Sequence, residues 1–246
     1  MTLTRYTARF VTLRWAFDGA CRRLLPARYH AAVPHVWDLL GNLYIIGWLV
    51  RLMMTPVESG YLHMWQLDAP EHYYQGLERI EALDAYLTCE AAWYIGGIIN
   101  AWLHGDAEAT PMIVHHVVAL LLIKTAILCN ITRLGIALVP FLLFSNPLLH
   151  AAKAMHSVGM QRCKDVAFGA FAIVFFASRI VAFPLVYMRV AIVDVGRWWM
   201  RDRVVLYWCA NAMLACIYVL QVYWFYRIVG VIKRRHLSRR ARRAGN

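Results

Sequence analysis

Two adjacent histidines, His115 and His116, lie inside the apolar run Pro111 to Cys129. An imidazole has to be hydrogen-bonded or solvated, so in hydrocarbon it marks either function or an interhelical tie. A neutral imidazole serves as acyl acceptor or general base near neutral pH, and a water-poor setting protects an activated acyl group from hydrolysis. Successive helix positions diverge by about 100°. One ring is therefore expected to face the bundle interior while the other braces it or a neighbouring helix. Metal binding is the rival chemistry. It needs three or four ligands, and adjacent histidines lack the spacing of helical zinc motifs, so no metal site is expected.

Other polar residues share this apolar setting. Glu90, among Ala91, Ala92, Trp93 and Tyr94, is a carboxyl group that must be protonated or paired, and Tyr86 and Tyr94, four residues to either side, share its helical face. Arg179, between Phe176 and Phe183, is the expected partner of Glu90, for architecture or for recognition of a headgroup or carboxylate. Asn146, His150 and Lys153 fall at spacings of four and three and form one polar stripe expected to look inward, the alternative being that Lys153 snorkels to the headgroups. Gln221 reads as an interhelical tie or a ligand contact. Together Glu90, Tyr94, Asn146, His150, Lys153, Arg179 and Gln221 are the candidate substrate-binding residues around a candidate catalytic pair, His115 and His116.

These residues require a membrane bundle to hold them. The chain has 246 residues, 61% hydrophobic and only 16% charged, an imbalance typical of several spanning helices. Crossing about 30 Å of hydrocarbon takes roughly 20 residues. Six stretches qualify: Val36 to Met54, Ala85 to Leu103, Pro111 to Cys129, Leu134 to Met155, Val166 to Met188 and Val204 to Ile232. Short connections between the second, third and fourth make consecutive helices antiparallel neighbours. The expected fold is all-α, a multi-pass transmembrane bundle of residues 36–232 between a basic amphipathic segment, 1–35, and a basic tail, 233–246.

In the N-terminal segment Arg5, Arg9, Arg14, Arg22, Arg23 and Arg28 interrupt Phe10, Val11, Leu13, Trp15, Phe17 and Leu24, the pattern of an interfacial helix. Its arginine richness also fits a mitochondrial transit peptide, although serine is missing. With Lys233, Arg234, Arg235, Arg239, Arg240, Arg242 and Arg243 at the other end, both termini are expected on the cytosolic side, and six spans satisfy that parity. The acidic loop Thr55 to Asp84 suits the opposite face. Arg189, Arg197, Arg201 and Arg203, in the last loop, do not. The formal net charge of +12 sits largely at the tails, which points to anionic lipid headgroups and not to nucleic acid. The six cysteines show no metal-ligand pairing and read as small packers. No phosphate-cradling glycine loop, dinucleotide fingerprint or serine nucleophile elbow appears.

Tyr86, Leu87, Glu90 and Tyr94, then Met112 with His115 and His116, then Asn130, Thr132, Arg133 and Gly135, resemble in type and order the signature of the TLC domain shared by ceramide synthases, translocation-associated proteins and their relatives. Arg179 with Phe183 and Pro184, and Leu220 with Gln221 and Trp224, are similar to its late spans, so the resemblance covers about residues 84–233. It implies six helices in a ring around a lipid-accessible cavity, an endoplasmic reticulum location, and N-acylation of a sphingoid base by acyl-CoA with the paired histidines catalytic. In that chemistry two aspartates in the next span assist. Here Leu143 and Asn146 stand at those positions, and no acidic residue occurs between Glu108 and Asp165. Ala119 stands where the synthases usually have threonine. Phe144 to His150 instead resembles a divergent branch of TLC-domain proteins linked to membrane lipid composition.

Three readings follow. The first is a membrane protein of lipid homeostasis that binds acyl lipid in an intramembrane cavity without chemistry, as the missing aspartates favour. The second is a ceramide-synthase-type acyltransferase, with acyl-CoA as co-substrate, a sphingoid base as acceptor and the basic residues Lys153, Arg162 and Lys164 attracting the CoA phosphates. It needs no resident cofactor. The third is an accessory subunit of a membrane complex, mitochondrial if the N-terminal segment is a targeting signal. Oligomer formation is compatible with all three.

Overall fold

In the computed structural model, which describes residues 2–54, 79–104, 109–194 and 203–244, every regular element is helical. Helix α1 spans Leu3–Leu24, and a short 3-10 turn, Ala27–Ala32, leads into α2, Val33–Met54. Then come α3, Glu81–His104; α4, Ala109–Leu128; α5, Thr132–Leu143; and α6, Asn146–Ser157. Helix α7, Gln161–Phe175, runs on through a π-helical stretch, Phe176–Ala182, a short α8, Phe183–Tyr187, and a second π stretch, Met188–Asp194. Helix α9 is Val204–Ala244. Most of the expected acidic loop, residues 55–78, lies outside the described residues, as do Arg197 and Arg201.

Five stretches among the described residues are long and apolar enough to cross a membrane: Ala27–Met54, Ala109–Leu128, Thr132–Ser157, Gln161–Val193 and Val204–Arg234. Helix α3, which holds the expected second span, is long enough but is not among them. Glu81, Asp84, Glu90 and Asn100 dilute its apolar content. Large apolar side chains point outward along the spans, with Ile173 72%, Leu185 68% and Val219 65% exposed, a surface that water alone would not tolerate and lipid would cover.

The expected fourth span is two helices. Helix α5 ends at Leu143 and α6 starts at Asn146, with Pro147 in its first turn. A proline ring clashes with the carbonyl four residues back and offers no N–H to it. For Pro147 that carbonyl is Leu143, where α5 stops. At the end of α4 a non-glycine residue, Asn130, adopts a left-handed conformation at φ 55°, and the Ile131 amide donates to the Ala126 carbonyl at 2.9 Å. Asparagine tolerates this cap, which turns the chain straight into α5.

Helix α5 is the most enclosed element, with Leu134, Ile136, Ala137, Leu138 and Leu143 all buried, and it packs against α2, α3, α4, α8 and the first π stretch. Around it, α3 lies on α4, α4 on α9, α7 on α6, and α6 on α2. Helix α1 docks onto the bundle: Phe10 meets Trp93 edge-on at 5.6 Å, Phe17 meets Trp37 at 5.5 Å, and Trp37 stacks on Trp93. A Cβ on Gly41 would stand 2.0 Å from the Trp93 ring, so only glycine admits this stack. The buried apolar side chains form two clusters. The larger includes Leu49, Leu87, Ile136, Phe183 and Ile217; the smaller, Phe171, Ala172, Phe175 and Ile228, is packed by Leu148, Leu149, Trp224 and Phe225.

Candidate functional site

Helices α3, α4 and α9 bring the histidine pair together with Glu90 and Tyr94. The Tyr94 hydroxyl donates to Glu90 Oε1 at 2.6 Å across one helical turn, the contact expected of residues four apart. The His116 ring stacks on Tyr94 at 5.1 Å between centroids, and His115 meets Tyr94 at 6.3 Å and 72°. The two imidazoles lie 5.6 Å apart. His115 also meets Trp224 of α9 edge-on at 5.4 Å. Both rings lie against one tyrosine, His115 buried in the bundle and His116 against the neighbouring helix α3. The second ring reaches Tyr94 because α3 closes on α4 at Gly97, where a Cβ would stand 2.5 Å from His116 Cε1. Trp224, at the seam between the two apolar clusters, covers the other side of His115.

This group is buried and not fully bonded. Glu90 is 1% exposed, and its second oxygen, Oε2, has no hydrogen-bond partner; neither has Nδ1 of His115 or of His116, nor the hydroxyl of Tyr86. Buried polar atoms are nearly always satisfied, so several together in one place call for an explanation.

The expected Glu90–Arg179 pair is not made: among the described residues no ion pair joins them, and Glu90 turns to Tyr94 instead. Arg179, on the first π stretch, donates through Nη1 to Gln221 Oε1 at 2.8 Å and through Nη2 to the Leu142 carbonyl and to Asn146 Oδ1. Its guanidinium lies 4.8 Å over the Phe175 ring. The α5–α6 break explains the carbonyl contact, since a helix end leaves acceptors without intrahelical donors. Neutral acceptors at hydrogen-bond distance satisfy the fixed fork of donors that a guanidinium presents.

From Asn146 the polar contacts continue. Its Nδ2 donates to Asn42 Oδ1 at 3.1 Å, and Asn42 Nδ2 donates to the Asp38 carbonyl at 2.7 Å. His150 Nδ1 stands 3.5 Å from Asp38 Oδ2, Arg14 Nη1 lies 3.8 Å from Asp38 Oδ1, and Arg14 Nη2 donates to Asn100 Oδ1 at 2.8 Å. Asn146 and His150 therefore look inward toward α2 as the stripe implied. Lys153 does not: it is exposed, because its long stem lets the ammonium leave the bundle. Leu143, at one of the two positions where the resemblance places an aspartate, is buried in the larger apolar cluster.

His35, Asp38, Asn42 and Asn100 carry no expectation from the sequence, and Arg14 only that of an interfacial helix, yet all five lie in this neighbourhood. The spacing His35, Asp38, Asn42 is three and four, the same signal that marked Asn146 and His150.

Residues 33–230 match the family model of the TLC domain, from the first turn of α2 into α9. A ceramide synthase of Arabidopsis thaliana is 24% identical over 182 residues, 71% of this chain and 61% of that protein. Alternaria stem canker resistance protein 1 of Solanum lycopersicum is 29% identical over 147 residues, covering 56% of this chain and 46% of its own length. Ceramide synthase 5 of Mus musculus is 29% identical over 157 residues, covering 63% and 37%. The chain thus spans less than two thirds of each of these relatives.

Proposed function

The chain belongs to the TLC-domain family, and from that premise we propose that it binds an acyl lipid within the membrane, with the lipid's polar group held at Glu90, Tyr94, His115 and His116. The observation that carries this reading is the set of buried atoms left without partners, Glu90 Oε2 and both Nδ1 atoms, at the seam between two apolar clusters. An amide, hydroxyl or ammonium group satisfies them, while the acyl chain lies along the apolar side chains beside Trp224. In this reading the helices form the six-span ring of the family, with α3 as its second span. The neighbouring names support the lipid class: two of the relatives are called ceramide synthases. The protein acts in membrane lipid homeostasis, with the endoplasmic reticulum as its compartment.

A second reading is favoured by the imidazoles themselves, which lie side by side against Tyr94 with a ring nitrogen free on each. It is acyl transfer. The nitrogen of a lipid amine attacks the thioester carbonyl of acyl-CoA, the C–S bond breaks, and an imidazole takes the proton from nitrogen and returns it to the departing thiolate. Leu143 and Asn146 supply no carboxylate to such a step, and Asn146 is engaged by Arg179 and Asn42. Loss of a general base typically lowers a rate by about a hundredfold to ten-thousandfold, so any activity is expected to be slow.

The test uses the purified chain in lipid nanodiscs with a photoactivatable long-chain sphingoid base, and then adds labelled acyl-CoA. Crosslinking that falls in Glu90→Ala and His115→Ala, with no acylated product, supports the binding reading. Product that disappears in His115→Ala or His116→Ala supports transfer. Equal crosslinking in wild type and all variants, with no product or with product that none of the variants loses, removes both. A fluorescent C-terminal tag checks the compartment, and a mitochondrial signal would favour the accessory-subunit role instead.

A further inference from the structure

Away from the histidine pair, three metal-ligating side chains converge where α2 meets α6. His35 and Asp38 lie three residues apart in the opening turns of α2, and His150 faces them from α6. Their nearest nitrogen and oxygen atoms all lie within 4.8 Å of one another. His150 Nδ1 stands 3.5 Å from Asp38 Oδ2, longer than the roughly 2.7–3.2 Å of an N–H···O bond, and it is a buried atom with no hydrogen-bond partner. On a tetrahedral zinc ion, with bonds of about 2.0–2.1 Å, neighbouring donor atoms stand roughly 3.4 Å apart. The spacing thus fits two ligands of one ion better than it fits a hydrogen bond.

We propose that His35, Asp38 and His150 bind a divalent transition-metal ion of the zinc class and leave a fourth coordination position open to water. Two imidazoles and a carboxylate are a common donor set for such an ion, and three protein ligands are the number found where a position stays free. Arg14 acts as an outer partner of the carboxylate: its Nη1 lies on Oδ1, the oxygen turned away from His150, while its Nη2 is tied to Asn100. Outer partners of this kind fix the orientation of a ligand. All three ligands are half-buried, which gives the ion a path in. Bound there, the ion joins α2 to α6, and through Arg14 the junction extends to α1 and α3.

The site is separate from the Glu90 and His115 cluster, so it stands or falls independently of the lipid reading. The test takes the purified full chain in detergent, stripped with chelator and titrated with Co²⁺. Equimolar binding with the visible absorption of a four- or five-coordinate site is expected, displaced by Zn²⁺. His35→Gln, Asp38→Asn and His150→Ala should each weaken Co²⁺ binding by about tenfold or more, at least the loss that outer-shell substitutions cause. His116→Ala should leave binding unchanged. Zn²⁺ should also raise the melting temperature of the wild type and not of these three variants. Folded wild-type protein that takes up no Co²⁺ would overturn the proposal, as would uptake that the three folded variants match. Should Asp38→Asn fail to fold for want of Arg14's partner, the two histidine variants carry the comparison.

Discussion

The Arg179 network and the Glu90–His115 cluster lie in the same apolar bundle and meet along α9, at Gln221 and Trp224, yet they differ in how far they are satisfied. Arg179 places Nη1 and Nη2 on acceptors from α9, α5 and α6. The leftover atoms there, Arg179 Nε and Gln221 Nε2, are N–H donors. Around Tyr94 the leftovers include a carboxylate oxygen and two imidazole nitrogens. Closed polar networks rigidify a core, and open ones stay costly until something completes them. In the proposed reading the first region ties helices together and the second receives the ligand.

Removing the key residue of the closed region should give the largest loss. Arg179→Ala strands Gln221, Asn146 and the Leu142 carbonyl, and at about 1.5–3 kcal/mol for each charged hydrogen bond the Gln221 and Asn146 bonds alone amount to about 3–6 kcal/mol. Thermal unfolding in detergent should show a large drop in melting temperature, whether or not lipid is present. An Arg179→Ala protein as stable as wild type would mean that the network ties nothing together.

The open region is best probed through the glycine beneath it. Gly97→Ala puts a Cβ 2.5 Å from His116 Cε1, an overpacking worth about 1–3 kcal/mol, and it moves the His116 ring off Tyr94. Lipid crosslinking should fall along with stability. Gly41→Ala is the control: its Cβ meets the Trp93 ring at 2.0 Å, so stability should drop while crosslinking at Glu90 and His115 persists. If both alanines affect capture equally, the loss reflects stability and not the approach of α3 to α4 at Gly97. An effect of no greater size is expected from Tyr94→Phe, which removes the donor to Glu90 Oε1 at 2.6 Å. A buried acceptor left without its donor typically costs about 1–3 kcal/mol, and chemical denaturation would measure it. Added lipid bearing an amide or hydroxyl should recover part of it.

The sequence is clearest where a single rule decides. Tyr94 finds Glu90 because residues four apart share a helical face. The family also declares itself in the order of Glu90, His115, His116 and Asn130 to Gly135. What depends on the approach of distant helices is hidden. Opposite charges in hydrocarbon should pair, which points Arg179 to Glu90; the helix end at Leu142 and the amide of Asn146 offer neutral acceptors instead. The meeting of His35 and Asp38 with His150 is equally hidden, since nothing local says that α2 and α6 will lie side by side. The convergence of both imidazoles on Tyr94 depends on the close approach at Gly97, which helical periodicity within α4 does not contain.

Lys153 gives the sharpest small prediction, because it tests whether a stripe on one helix must act as a unit. Its neighbours Asn146 and His150 are turned toward α2 and bonded or paired there, whereas Lys153 is exposed. Substitution at a surface position away from special features usually changes stability by no more than about 0.5 kcal/mol, so Lys153→Ala should melt close to wild type, and His150→Ala should not. If the second reading holds, Lys153→Ala should raise the KM for acyl-CoA while leaving kcat unchanged, since an exposed cation helps to attract the CoA phosphates and takes no part in proton transfer. A drop in kcat would place Lys153 among the reacting groups, and the division between the open cluster and its basic surroundings would have to be redrawn.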